Sequence, residues 1–332
     1  MMGGMTTPLA ISFADIEAAA QRLAGQAITT PLHENMVLNA QLKARIFIKP
    51  EVLQHRGAFK FRGAYNKLSS LSAAERAMGV VAMSSGNHAQ GVALAAQLLG
   101  IRATIIMPSN APRIKLQNTR DMGADVILFD HATDNRDELA KKVLAERGGT
   151  FVHPYDDPLV MAGQGTCGLE IAQQAAAKGI TLDTMVVCCG GGGLTAGITT
   201  AFQQLSPTTQ IRIAEPEGFD DTVRALQSGE RVGNVPGAKT ICDALTTPMP
   251  GALTFPILKH YGVSGVAVSD DEVRSAMRFA FLNLKLVLEP GGAVALAAIL
   301  TGKIPVAGRN VGLTLSGGNI DPVAFGEIIG AS

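Results

Sequence analysis

The chain has 332 residues, of which 47% are hydrophobic and none is tryptophan, and its 28 basic and 28 acidic side chains cancel to zero formal charge. Such a length and apolar share bury one large core or two moderate ones, and balanced charge without long runs of one sign excludes nucleic acid or an anionic membrane surface as the expected partner. The opening "MMGGMTTPLAISFADIEAAA" has no basic stretch ahead of an apolar one, and the longest apolar run near the end, "AVALAAIL", is too short to cross a bilayer, so a cytoplasmic protein without membrane contact is expected.

In chain order, short β-branched runs alternate with amphipathic stretches of helical length. The expected strands are "RIFIK", "GVVAM", "ATIIM", "DVILF", "TFVHP", "DTMVVCC", "QIRIAE", "SGVAV" and "NVGLTL", most of them followed by a helix. That alternation predicts an α/β fold with predominantly parallel sheet covered on both faces. Three strand-helix units, opening at "GVVAM", "ATIIM" and "DVILF", crowd between about residues 79 and 147 and predict a small inserted sheet. The expected division is a small domain over 68–151 and a large, cofactor-binding domain over 1–67 and 152–332, tightly coupled because no long linker intervenes. Cys167 and Cys242 stand alone, and the adjacent Cys188 and Cys189 lie in an apolar run without CxxC spacing, so all four read as core residues.

The chemistry-bearing stretches follow the same order. "HRGAFKFRGAYN" wedges Lys60 between Phe59 and Phe61 just after the first strand. "SSGNHAQG" (residues 84–91) and "SGGN" (residues 316–319) each close a strand, where open α/β sheets collect ligands, and offer hydroxyl and amide groups beside glycine. Ser85 and Asn87 also suit a helix cap, and His88 reads as a hydrogen-bonded first-turn residue rather than a catalyst. Gly190, Gly191, Gly192 and Gly193 follow an apolar strand and lead into "LTAGITTAFQQL", leaving free N–H groups at a helix start where an anion binds. The loop also admits a dinucleotide reading. Gly191, Gly193 and Ala196 match GxGxxA, and Glu215 lies 24 residues beyond Gly191, where a ribose-binding acid would sit in an NAD-dependent oxidoreductase. That alternative leaves Lys60 and both polar clusters without a role.

A phosphate cradle, a lysine between aromatics and hydroxyl or amide groups at strand ends fit one cofactor, pyridoxal 5'-phosphate. "GAFKFRGAYN", "SSGNHAQG", "AGQGT", "GGGGLTAG" and "SGGNID" stand in the order found in the fold-type II pyridoxal-phosphate enzymes, and the chain resembles their threonine/serine dehydratase and serine racemase group over nearly its whole length. The resemblance implies two open, twisted parallel sheets with flanking helices, as in tryptophan synthase beta, with the smaller lobe inserted into the larger. It implies that Lys60 forms the internal Schiff base, that Phe59 lines the ring, and that Asn87 meets the phenolic oxygen. Gly190 to Gly193 with Leu194 would hold the phosphate, and Ser316 the pyridine nitrogen. Ser85 matches the second acid/base of the racemase members, on the face opposite Lys60. Glu289, in "LVLEPGGAV", suits either the ring edge or a helix cap.

The activity so implied is β-elimination from L-threonine or L-serine to a 2-oxo acid and ammonia, with serine racemisation or 3-hydroxyaspartate elimination as alternatives. The partner is then a small β-hydroxy amino acid, and the assembly a homodimer or homotetramer. Racemase-like members hold Mg2+, Mn2+ or Ca2+ in the segment matched by "AEPEGFDD", which implies Glu215 and Asp221 as carboxylate ligands and Phe219 as a carbonyl ligand. A solvated acidic loop is the plainer alternative. "GAFK" replaces the commoner "GSFK", and "TICDAL" places Ala244 where glycine is frequent, which narrows the substrate pocket. Arg136 matches a racemase-type arginine suited to a second substrate carboxylate, or else is a solvated helix residue. The chain ends soon after "SGGNID", so an isoleucine-binding regulatory domain is not expected.

Overall fold

The computed structural model describes residues 8–330 except 85, 112, 131 and 132; the side chains of residues 114, 136 and 137 also lie outside the description. Ten strands build two sheets: β1 (His33–Glu34), β2 (Arg45–Pro50), β3 (Val80–Met83), β4 (Ala103–Pro108), β5 (Asp125–Phe129), β6 (Thr150–Phe151), β7 (Thr184–Cys188), β8 (Gln210–Pro216), β9 (Ser264–Val268) and β10 (Asn310–Leu315). The larger sheet runs β1-β2-β10-β7-β8-β9 and the smaller β5-β4-β3-β6. Every pairing is parallel except β1 with β2. All nine expected strands are present. "TFVHP" contributes only Thr150–Phe151, and the two-residue β1 carries too little pattern to be seen in the sequence.

The smaller sheet lies wholly between residues 80 and 151, and its core of Val80, Ala82, Ile105 and Met107 also takes in Phe61, Ala64 and Leu68 from the helix Lys60–Ser69. That helix therefore joins the lobes, since its first turn follows β2 of the larger sheet. The limits drawn at residues 67/68 and 151/152 stand as a proposal.

Two devices fix this junction. Arg62, fully buried, donates through Nε to Glu51 Oε2 at 2.7 Å and through Nη1 to Glu170 Oε1 at 2.6 Å, while Lys49 Nζ meets Glu170 Oε2 at 2.6 Å. Burial alone would push the Glu51 carboxyl up, but the Arg62 guanidinium holds it below the usual carboxylate range. The network ties β2 and the helix Lys60–Ser69 to the helix Pro158–Ala177, whose start is capped by Asp157 accepting from Leu159 and Val160 N–H. The helix Pro158–Ala177 in turn crosses Gly193–Leu205 so closely that a β-carbon on Gly197 would sit 2.5 Å from the Gly165 nitrogen.

Candidate active site

A cavity of about 600 Å³ opens between the sheets, at the carboxyl ends of β3, β7 and β10. It is lined by Phe59, Lys60, Asn87, Gly190 to Leu194, Glu289 and Ser316, so every expected cofactor-binding residue reaches one space. Ser85 lies outside the described residues, and the side chain of Arg136 likewise.

Lys60 is the first residue of its helix, and the turn before it is pinned where Phe59 N–H donates to the Ser316 carbonyl at 3.1 Å. The amine donates to the Pro154 carbonyl at 2.7 Å and lies 5.1 Å from the centre of the Phe59 ring. Loss of solvent pushes it down to about 8, against the opposing pull of Cys188 and Glu289. A lysine so placed is a nucleophile and a base close to neutral pH.

The glycine loop owes its composition to its neighbours. Gly192 has φ +89°, and a β-carbon on Gly191 would fall 2.3 Å from the Tyr155 ring. Gly191 turns its carbonyl outward to accept from Thr254 Oγ1 at 2.7 Å and from Gly251 N at 3.1 Å. The helix Gly193–Leu205 then begins at the cavity, with the unsatisfied N–H groups of its first turn available to an anion. Pyridoxal phosphate fits these residues: a cradle that side chains would fill, a desolvated amine, and the buried Ser316 hydroxyl.

His88 is buried, its Nε2 lies 2.9 Å from the Val152 carbonyl, and burial followed by the Lys60 charge pushes it down to about 3, so it is neutral and structural. Glu289 occupies a cap position but makes no cap bond; it accepts from Asn87 Nδ2, and burial first, then Asp243, pushes it up to about 7. All four cysteines are free and buried. Burial pushes Cys188 up to about 11 and Cys242 up to about 12, which keeps both thiols neutral. Two cavity residues carried no motif, and Asp243 was passed over within "TICDAL". Tyr155 follows β6, and Lys115 meets Asp243 across the cleft, Nζ to Oδ2 3.5 Å. Only the folded arrangement brings them to the site.

The expected cation ligands lie away from the cavity, at the end of β8. Glu215 Oε2 accepts from Val223 N–H at 2.8 Å, while Glu215 Oε1 and both Asp221 carboxylate oxygens are buried without a partner among the described residues. Burial pushes Asp221 up to about 7, and burial plus the neighbouring Asp221 pushes Glu215 well above the carboxylate range. Adjacent, desolvated, unsatisfied oxygens are a donor set that a hard cation satisfies. Among the described residues no three or more His, Cys, Asp or Glu side chains gather into a metal cluster, so carbonyls and water would complete any such shell. No described helix is long and apolar enough to cross a membrane.

The model for the family "Pyridoxal-phosphate dependent enzyme" matches residues 23–317. An L-threonine ammonia-lyase of Thermotoga maritima is 42% identical over 319 residues, covering 96% of this chain and 78% of that protein. An L-threo-3-hydroxyaspartate ammonia-lyase of a Pseudomonas species is 41% identical over 318 residues, covering 96% of this chain and 98% of that protein. The solved structure of maize serine racemase superposes with a TM-score of 0.90 at 34% identity, covering 95% of each chain.

Proposed function

Because the chain belongs to the pyridoxal-phosphate dependent enzyme family, we propose that it is an ammonia-lyase that eliminates the β-hydroxyl of L-threonine and L-serine as water and then takes up one water as ammonia is released, leaving 2-oxobutanoate and pyruvate with a net loss of ammonia alone. The observation that carries this reading is the Lys60 amine, pushed down to about 8 in a cavity whose other walls are Asn87, the glycine loop and Ser316. Bound pyridoxal phosphate supplies the electron sink that makes the α-proton acidic. Lys60 supplies the base that takes this proton, and its low pKa keeps a useful fraction of free amine at neutral pH. Gly190 to Leu194 would hold the phosphate, and Phe59 would line the ring. Ser316 would offer the ring nitrogen a hydroxyl rather than a carboxylate, which does not force protonation and would favour β-elimination over deeper carbanion chemistry.

A second reading rests on the Pseudomonas relative, named for L-threo-3-hydroxyaspartate and matched over 98% of its length. In that reading Arg136 takes the second carboxylate. A racemase reading assigns Ser85 as the proton donor on the face opposite Lys60. Glu215, Asp221 and the Phe219 carbonyl are proposed to hold Mg2+, Mn2+ or Ca2+, on the strength of the unpartnered oxygens. A cytoplasmic setting accords with four free cysteines.

The deciding experiment is a panel of L-threonine, L-serine, D-serine and both L-3-hydroxyaspartate diastereomers, read for 2-oxo acid, ammonia and change of chirality. Turnover of L-threonine and L-serine is expected. Product from hydroxyaspartate alone would replace the first reading with the second. Ser85→Ala is expected to retain L-serine elimination while losing any racemisation, and racemisation retained at the parental level with L-serine elimination collapsed would remove the two-face assignment.

A further inference from the structure

Asn87 is useful to a phenolic oxygen only if it presents N–H rather than C=O, and an amide can turn over. The orientation is decided by a chain of contacts that starts at a backbone carbonyl. The Arg56 carbonyl can only accept, so the Asn319 atom 2.6 Å from it is the amide nitrogen. The same nitrogen lies 2.8 Å from Asn87, so the Asn87 atom facing it is Oδ1. Both Asn319 protons are thereby used. The other Asn87 atom, Nδ2, donates to Glu289 Oε1 and keeps one N–H for the cavity that Asn87 lines.

Two glycines make room for this chain. A β-carbon on Gly317 would lie 2.2 Å from Glu289 Oε1 and 3.1 Å from Asn87 Nδ2, and one on Gly57 would lie 2.9 Å from Asn319 Oδ1. Glycines of "HRG" and "SGG" are thus explained by the clamp and not only by the turns they sit in.

We propose that Asn319 and Glu289 are positioning residues that lock the Asn87 amide with its oxygen turned away and its second N–H aimed at the ring oxygen of the cofactor. The proposal rests on the pyridoxal-phosphate reading of the site. Turning Asn87 over would set N–H against N–H at Asn319 and, with Glu289 ionised, oxygen against oxygen there, so both neighbours enforce one state. The lock makes Asn87 a dedicated donor that favours the ionised form of that oxygen.

The test compares Asn319→Ala with Asn319→Asp in cofactor-free protein titrated with pyridoxal phosphate, reading dissociation constant, visible absorption band and Tm. Alanine removes the donor, whereas aspartate puts an acceptor in its place and favours the wrong orientation. Losing a donor is expected to weaken binding about threefold and reversing it at least about tenfold further, with the band moving to shorter wavelength. In an Asn87→Ala background the extra loss from aspartate over alanine is expected to shrink at least about threefold, because no amide remains to be turned and only the repulsion between aspartate and the Arg56 carbonyl is left. Glu289→Gln, which still accepts, is expected to stay within about threefold of the parent while Glu289→Ala does not; this pair also serves if the aspartate variant fails to fold. Equal effects of alanine and aspartate at parental Tm, or a difference that is undiminished without Asn87, would overturn the lock. A parent protein with no borohydride-sensitive band would instead sink the cofactor reading itself.

Discussion

Replacing Lys60 with alanine is expected to abolish multiple turnover and the cofactor's visible band together, because its amine is the one over the Phe59 ring among the described residues, while Lys115, also in the cavity, pairs with Asp243. Retained turnover in that variant would transfer the base to another residue. The lysine also fixes a pH dependence. Its desolvated amine falls to about 8, and only the free amine attacks, so the rate at which cofactor-free protein captures pyridoxal phosphate should rise with pH and level off above about 8. A rate that keeps climbing towards pH 10, read by stopped-flow absorbance, would show that Lys60 is not desolvated. At this scale the sequence revealed residues that sit in motifs: Lys60, Asn87, the four glycines and Ser316 all face the cavity. Tyr155 and Lys115 stayed hidden because no local spacing marks them, and the part of Asp243 in the cleft shows only in its contact with Lys115. Glu289 was ambiguous for a physical reason, since a carboxylate before a helix suits a cap until burial and Asn87 claim it.

Among elements, the crossing of the helices Pro158–Ala177 and Gly193–Leu205 sets the position of the glycine loop. Gly197→Ala forces a β-carbon against the Gly165 backbone, and overpacking of that kind costs about 1–3 kcal/mol, so Tm should fall by roughly 1–4 °C. Gly191→Ala meets the Tyr155 ring instead, and should weaken cofactor binding more than it lowers Tm. A thermal melt and a cofactor titration on both variants check the contrast; parental Tm in the first would mean the helices separate freely. Strands were legible because buried parallel strands are apolar on both faces, as in β7, where all five residues are buried. Helix crossings were not. "AGQGT" and "GGGGLTAG" signal small residues, but which helix meets which is decided by the sheet order.

For the whole molecule, the buried carboxylates at the end of β8 link stability to pH and, with the cation proposed for them, would link it to metal as well. Asp221 is pushed up to about 7 and Glu215 well above its usual range, so the folded chain holds protons that the unfolded chain releases. Stability of chelator-treated protein should therefore fall as pH rises from about 4 to beyond 7. Mg2+, Mn2+ or Ca2+ should restore Tm above pH 7, and Asp221→Ala should respond to neither chelator nor cation. An unchanged melting curve with chelator at pH 8 would remove the cation from the account.

The sheet order also has a consequence in time. β2 is made early, yet its parallel neighbour is β10, with Ile46 beside Val311 and Ile48 beside Leu313. A growing chain on the ribosome carries β2 with only the two-residue β1 against it until more than 250 further residues have emerged (310 − 50 = 260). The four strands of the smaller sheet, by contrast, are complete by residue 151. Closing so long a loop is slow and leaves an apolar strand edge waiting for its partner. The nascent protein is thus exposed to misassembly at its first large strand, and chaperone demand should be set by the arrival of its last.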